Sequence, residues 1–325
     1  MKQDQQRILV IKLDDLSQFV LSLAAMKHIR AAHPKAEITL LTTPPFLALG
    51  KACPYFNAVE SGGGVTGLAD VAQLAWRLKG HKFDRVYDLE CSNRSSLIFQ
   101  LMRPFAPKWS GVALGCAFPH RNPDRKAMHI LERQAEQLKI AGIWPDAPTA
   151  PGGAPPPDLS WILSREPEAR PVAGGVKPRP FVVLVPGGED GRRWPEERFG
   201  ELAARFRLAG FDNVVIGVPE HSAFARQIQK SDPKARDLTG RTDFAQIALL
   251  GSKAALAVGN ESGMLHLIAA AGAPTLALYC SDGRAVFDGP RGHVTVLHAD
   301  LIEDITLNAA TIAAASLLPA PAVAS

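Results

Sequence analysis

The sequence predicts an α/β protein built from two Rossmann-like domains with parallel sheets. Three observations carry that prediction. Short apolar runs of strand length alternate with stretches of helical periodicity, the pattern of a parallel sheet covered on both faces. The alternation stops in a proline-rich segment and then starts again. The chain has 325 residues, enough for two domains of about 150 each. With 46% hydrophobic and 21% charged residues it has the balance of a globular protein. The expected division is residues 1–165 and 166–325.

In the first half, residues 7–13 (RILVIKL) form the opening strand. Phe19, Leu23 and Met26 then recur at i, i+4 and i+7, a helical stripe. Residues 37–42 (EITLLT) read as the next strand, 57–59 as a weak one and 85–89 as a better one. Helices are expected over 68–79, 95–102 and 127–141. Between Trp144 and Pro180 lie ten of the 26 prolines, a density that neither a central strand nor an unbroken helix tolerates. Only residues 159–163 have room for a helical turn there.

After the linker, residues 181–185 (FVVLV) form a strand, and Pro195 opens a helix over 196–209 from a helix-compatible first position. Strands follow at 213–218, 255–258 and 275–279, and helices at 222–229, 244–251 and 263–271. The Ala- and Leu-rich tail, 301–318, is expected to be a final helix packed back on the body.

Composition and missing motifs narrow the function. Lys and Arg number 36 against 32 Asp and Glu, a net charge of +4 spread along the chain. That argues against a nucleic-acid binder and suits an anionic ligand. Cys53, Cys91, Cys116 and Cys280 form no C-x-x-C pair, so reduced thiols are expected. No signal peptide and no run of 18 apolar residues is seen, so the cytoplasm is the expected compartment. The P-loop, H-E-x-x-H and G-x-S-x-G patterns are missing, and no G-x-G-x-x-G follows the first strand. There is no D-x-D triplet to grip a nucleotide diphosphate through a divalent ion. His28 and His33, five apart on one helix, read as solvated rather than as metal ligands.

Two stretches carry chemistry. Residues 185–195 (VPGGEDGRRWP) leave the carboxyl end of a strand, where open α/β sheets bind ligands. Gly187 and Gly188 allow close approach of the backbone, and Arg192 and Arg193 bring charge. Taken singly, each fits a glycine turn with solvated arginines. Residues 258–274 (VGNESGMLHLIAAAGAP) pass from a strand into a helix. Asn260 and Ser262 are good N-caps. A helix opening at Gly263 and Met264 presents free N–H groups and a positive dipole end, a ready phosphate site. Glu261 and His266 stand within reach of such a ligand, although a capped helix with a structural histidine would look the same.

On these residues the chain resembles the glycosyltransferase family 9 heptosyltransferases. Pro186-Gly187 with Arg192-Arg193-Trp194-Pro195, Gly217-Val218-Pro219, residues 238–242 and the segment 259–274 follow that family's motifs in order. So do residues 7–34, Tyr87-Asp88-Leu89 with Asn93-Arg94-Ser95, and His129 with Arg133. The resemblance implies a GT-B architecture, two Rossmann-like domains facing a central cleft, the first taking the acceptor and the second the nucleotide sugar. It implies an inverting transfer of a heptose-like sugar from a nucleotide diphosphate sugar, ADP-heptose, to a lipopolysaccharide core or related glycan, with no metal and no cofactor. By matching position, Arg192 replaces a lysine on the donor phosphates, Glu261 replaces an aspartate, His266 is retained, and Glu220 or His221 falls near an acidic ribose contact. A lipid-linked acceptor would bring the chain to the inner face of the cytoplasmic membrane. Arg121, Arg125, Lys126 and Arg133 could meet an acidic acceptor, against the commoner reading of a solvated helix face.

One departure affects the chemistry. Where the family has Gly-Asp, the aspartate being its proposed base, this chain has Ser17-Gln18. An amide cannot take a proton from an acceptor hydroxyl at neutral pH. Asp15, with Asp14 behind it, is the expected substitute. Two competing readings follow: a nucleotide-sugar-binding homologue that has lost catalysis, and another GT-B enzyme such as a sugar-nucleotide epimerase.

Overall fold

The computed structural model describes residues 5–62, 67–163, 179–280 and 288–318. The chain divides into two compact units, Met1–Pro157 and Asp158–Ser325.

The first unit runs β1 (Arg7–Ile11), α1 (Leu16–Ala32), β2 (Glu37–Thr42), α2 (Leu47–Ala52), β3 (Ala58–Ser61), α3 (Leu68–Gly80), β4 (Arg85–Asp88), α4 (Asn93–Met102), β5 (Lys108–Gly111), β6 (Phe118–Pro119) and α5 (Ile130–Ile140). Its six strands are all parallel in the order β3-β2-β1-β4-β5-β6. β1 is central, with Leu9 in register with Thr39 on one side and Val86 on the other. Ile8 to Ile11 are fully buried, which is why that strand reads as a continuous apolar run rather than an alternating one. α1 buries more than the predicted stripe of Phe19, Leu23 and Met26. Leu21 and Ala24 pack against Ile130 and Leu131 of α5, so the helix is covered on a second side.

Two histidine readings are corrected. His28 stacks on Trp144 with ring centroids 3.4 Å apart, and His33 Nε2 lies 2.7 Å from the Tyr87 hydroxyl. Both rings are partly buried against these aromatic neighbours rather than fully solvated, His28 from within α1 and His33 from its C-cap.

The second unit runs α6 (Ser160–Leu163), β7 (Phe181–Val185), α7 (Glu196–Leu208), β8 (Asp212–Val215), α8 (Ser222–Ser231), β9 (Arg236–Asp237), α9 (Phe244–Lys253), β10 (Leu256–Asn260), α10 (Gly263–Ala270), β11 (Thr275–Cys280), β12 (Val294–Ala299) and α11 (Leu307–Leu317). The short α6 packs on α9. The second sheet is again six-stranded and parallel, ordered β12-β11-β10-β7-β8-β9. Taken from each unit's own first strand, both sheets have the same Rossmann order, with the chain reversing direction across the sheet between β1 and β4 and between β7 and β10. α11 closes the core: Ala310, Ala314 and Leu317 join Val182, Leu184, Trp194 and Phe199 in one cluster. Among the described residues no helix is long and apolar enough to cross a membrane.

Candidate functional site

In the second unit the predicted ligand loop leaves β7 and the predicted helix start follows β10. The two strands are hydrogen-bonded neighbours at the reversal point, where open α/β sheets bind ligands. Asn260 joins the two segments. Its Oδ1 accepts the Trp194 N–H at 3.0 Å and its Nδ2 donates to the Pro186 carbonyl at 2.8 Å. The side chain is fully buried and both ends are used, so Asn260 shapes the loop from beneath. It is also the last residue of β10. The N-cap of α10 is Ser262 alone, whose hydroxyl accepts from Leu265 N at 3.4 Å. Trp194 is fully buried and donates from Nε1 to the Ile305 carbonyl at 2.7 Å, anchoring the far end of the loop.

Above this frame sit the charges. Arg192 Nη1 lies 3.6 Å from Glu261 Oε2, and Arg192 Nε lies 3.7 Å from Glu189 Oε2. The structure thus pairs two of the predicted site residues with each other, partly exposed, beside the first turn of α10 with Gly263 and Met264. Arg193 turns the other way. It donates to the Gly188 carbonyl at 3.2 Å, pairs with Asp190 and lies over the Phe224 ring at 4.9 Å. His266 is 2% exposed, with Nε2 3.5 Å from the Tyr279 hydroxyl, so it stands beneath the helix start.

Of the pair Glu220 and His221, the structure places His221 at the loop and leaves Glu220 exposed. A Cβ on Gly187 would stand 2.0 Å from His221 Cε1, and one on Gly217 would stand 2.9 Å from its Nδ1. The ring fills the space that the two glycines leave. It stacks on Phe224 at 5.4 Å. Burial, then the neighbouring Arg193 charge, holds the imidazole below its ordinary pKa, with Glu220 acting in the opposite direction.

The first unit has its own reversal point between β1 and β4. Asp15 is the N-cap of α1, its Oδ1 accepting from Gln18 N at 2.9 Å. Asp14 Oδ1 accepts from Asp15 N at 3.0 Å, and its Oδ2 lies 3.5 Å from Lys12 Nζ. Motif reasoning passed over the group behind them. Lys12 is 2% exposed, and its ammonium also lies 3.5 Å from Glu90 Oε2, which accepts from Leu13 N at 3.0 Å. The available signal was a lysine ending an otherwise apolar strand, and a carboxylate two residues after Asp88. The turn that presents Glu90 is fixed by Asp88, whose Oδ1 accepts from Cys91 N at 2.9 Å, while Cys91 adopts φ of 52°. Burial pushes the Asp88 carboxyl up to about 6 against the hydrogen bond from Cys91 N. Among the described residues no three His, Cys, Asp or Glu side chains are grouped to hold a metal ion.

Two parallel sheets of the same Rossmann order in one chain make up the architecture of GT-B glycosyltransferases, and the solved structures this chain resembles have it. The E. coli ADP-heptose lps heptosyltransferase II superposes with a TM-score of 0.76 at 21% identity, covering 96% of this chain and 98% of that one. A glycosyltransferase family 9 structure from Veillonella parvula superposes at 0.72 with 22% identity, covering 92% and 87%. In sequence, lipopolysaccharide heptosyltransferase 2 of Escherichia coli (strain K12) is 25% identical over 298 residues, 84% of this chain and 82% of that protein. The family model for glycosyltransferase family 9 (heptosyltransferase) matches residues 71–299, and the chain belongs to that family.

Proposed function

We propose that this chain transfers a heptose from ADP-heptose to a lipopolysaccharide core or related glycan acceptor, with inversion at the anomeric carbon and without a metal ion. Family membership and the lipopolysaccharide heptosyltransferase relative support the reaction class. The observation that carries the donor assignment is the Arg192–Glu261 pair at the β7/β10 reversal point, beside the α10 N-terminus. An arginine and a set of helix-terminal N–H groups supply positive charge where a diphosphate leaving group gains negative charge. Glu261 holds the Arg192 fork before the donor arrives. Gly187 makes room for the His221 ring, with Gly188, Arg193, Asn260, Ser262 and His266 shaping the loop and helix start. The first unit takes the acceptor, and a lipid-linked acceptor would bring the chain to the inner face of the cytoplasmic membrane.

The test is transfer itself. Purified chain, ADP-heptose and a truncated core oligosaccharide should yield a product heavier by one heptose, with the opposite anomeric configuration and the same rate in EDTA. Retained configuration would overturn the inverting mechanism. Loss of rate in EDTA restored by magnesium would overturn metal independence. Gln18, standing where the family carries an acid, favours one second reading, a homologue that binds the nucleotide sugar without turning it over. Saturable ADP-heptose binding with no product would establish it.

A further inference from the structure

We infer that Glu90 is the general base of the transfer and that Lys12 is the residue that positions it. The inference rests on the reading that this chain is a transferase.

Four carboxylates stand at the β1/β4 reversal point, and the geometry separates them. Asp88 is fully buried at the end of β4, out of reach of an acceptor. Asp15 spends an oxygen capping α1. Asp14 is half exposed and has both oxygens engaged, one with Asp15 N and one facing Lys12. Glu90 differs from both Asp14 and Asp15, which are exposed, in being largely buried, and from Asp14 in engaging one oxygen only. A single oxygen, Oε2, takes both of its donors, Leu13 N and the Lys12 ammonium. Its Oε1 has no partner among the described residues. The side chain is only 10% exposed. A carboxylate held at one oxygen, open at the other and largely withdrawn from water is preorganised to accept a proton. Its place is the crevice at the carboxyl ends of the two strands where the sheet order reverses.

Lys12 is what makes this a built arrangement. A lysine at 2% exposure is costly to bury unless its charge is answered. Here it lies 3.5 Å from each of Asp14 and Glu90, so folding fixes the Glu90 carboxylate against the end of β1. In the step itself the acceptor oxygen bonds to the anomeric carbon. The bond from that carbon to the diphosphate oxygen breaks, its electron pair leaving with the nucleoside diphosphate. The acceptor hydroxyl proton passes to Glu90 Oε1.

The test compares wild type with Glu90→Gln and Glu90→Asp in single-turnover transfer from ADP-heptose across pH, with donor affinity by calorimetry and melting temperature alongside. Gln keeps the acceptor atom for Leu13 N but cannot take a proton. Asp keeps the charge beside Lys12 on a shorter arm, which guards against a folding defect from leaving Lys12 underpaired. The expected result is a rate loss of about a hundredfold to ten-thousandfold for Glu90→Gln. The acid limb of the pH profile should vanish, donor affinity should stay unchanged, and Glu90→Asp should be slowed at an unchanged melting temperature. A Glu90→Gln protein at the wild-type rate, or one with its acid limb intact, overturns the assignment. So does Glu90→Asp at full rate with Glu90→Gln slowed only as far as it unfolds. A wild type that moves no heptose removes the transferase reading and any base with it, whereas transfer unaffected by Glu90→Gln removes Glu90 alone.

Discussion

The Asn260 side chain and the Trp194 backbone are joined by a 3.0 Å hydrogen bond that spans the β10 and β7 ends of the second sheet. Because the same amide also donates to the Pro186 carbonyl, one buried side chain fixes both ends of the loop that carries Gly187, Gly188 and Arg192. Asn260→Leu would leave a buried N–H and a buried carbonyl without their partner, at a cost of roughly 1–3 kcal/mol each. The expected outcome is a lower melting temperature together with weaker ADP-heptose binding, followed by thermal denaturation and calorimetry. Unchanged binding in the folded fraction would separate the loop from the donor.

Arg192 should behave differently. Its partners, Glu189 and Glu261, are partly or largely exposed, and ion pairs in that setting contribute about 0–1 kcal/mol to stability. A charge-assisted contact to a phosphate is worth about 1.5–3 kcal/mol. Arg192→Ala is therefore expected to keep the wild-type melting temperature and to weaken ADP-heptose binding roughly tenfold to a hundredfold. Arg192→Lys should recover part of the loss, since it restores the charge without the planar fork. Calorimetric titration with ADP and with ADP-heptose checks both.

Asp88 is a titration marker for the first unit. Burial raises its carboxyl from the ordinary value to about 6, so the folded chain holds this proton more tightly than the unfolded one. The sign follows: the Asp88 contribution to stability is fullest below about pH 4 and falls as pH rises to about 6, by ~3 kcal/mol. The carboxyl carbon signal of Asp88, followed by NMR, should titrate with a midpoint near 6. A midpoint near 4, where exposed carboxylates titrate, would mean that the β4 end is wetter than the structure has it.

Much of this architecture was legible because the central strands are buried on two faces. β1, β7 and β10 then read as unbroken apolar runs, and Pro195 and Ser262 mark helix starts that the structure keeps. β6 and β9 were not, since two residues carry no periodicity, and β12 is a half-buried edge strand mixing polar and apolar positions. In the site, residue types were legible but directions were not. Glycines, arginines and a capped helix at a strand end pointed to an anion. That Arg192 meets Glu261 while Arg193 turns toward Phe224 depends on side-chain packing. Glu90 and Cys91 stand between the matched Asp88-Leu89 and Asn93-Arg94-Ser95, so motif matching stepped over them. Only the three-dimensional pairing across β1 and β4 brings Glu90 to Lys12, 78 positions apart in the chain by their numbers.

The His221 ring occupies the space left by two glycines, Gly187 and Gly217. Gly187 has no Cβ, and one placed there would overlap the ring at 2.0 Å from Cε1, too close for any small adjustment. The colliding group is the end of a side chain that can rotate, so Gly187→Ala should expel the ring without unfolding the sheet. Expelled, His221 would lose its stacking on Phe224 and its place beside Arg193. The geometry of the loop proposed to receive the donor would change with it. Gly187→Ala is therefore expected to weaken ADP-heptose binding, and His221→Ala added to it should recover part of the loss, a coupling that a double-mutant cycle measures directly. There is a pH signature as well. Because burial and Arg193 lower the His221 pKa in the folded chain, the unfolded chain takes up this proton first as pH falls. The His221 contribution is therefore unfavourable below about pH 6.5 and vanishes above it. His221→Ala should accordingly lose less stability than wild type between neutral pH and pH 5, by thermal melts at each pH. If the two substitutions act additively on donor binding, the ring does not control the loop, and the contact with Gly187 is packing alone.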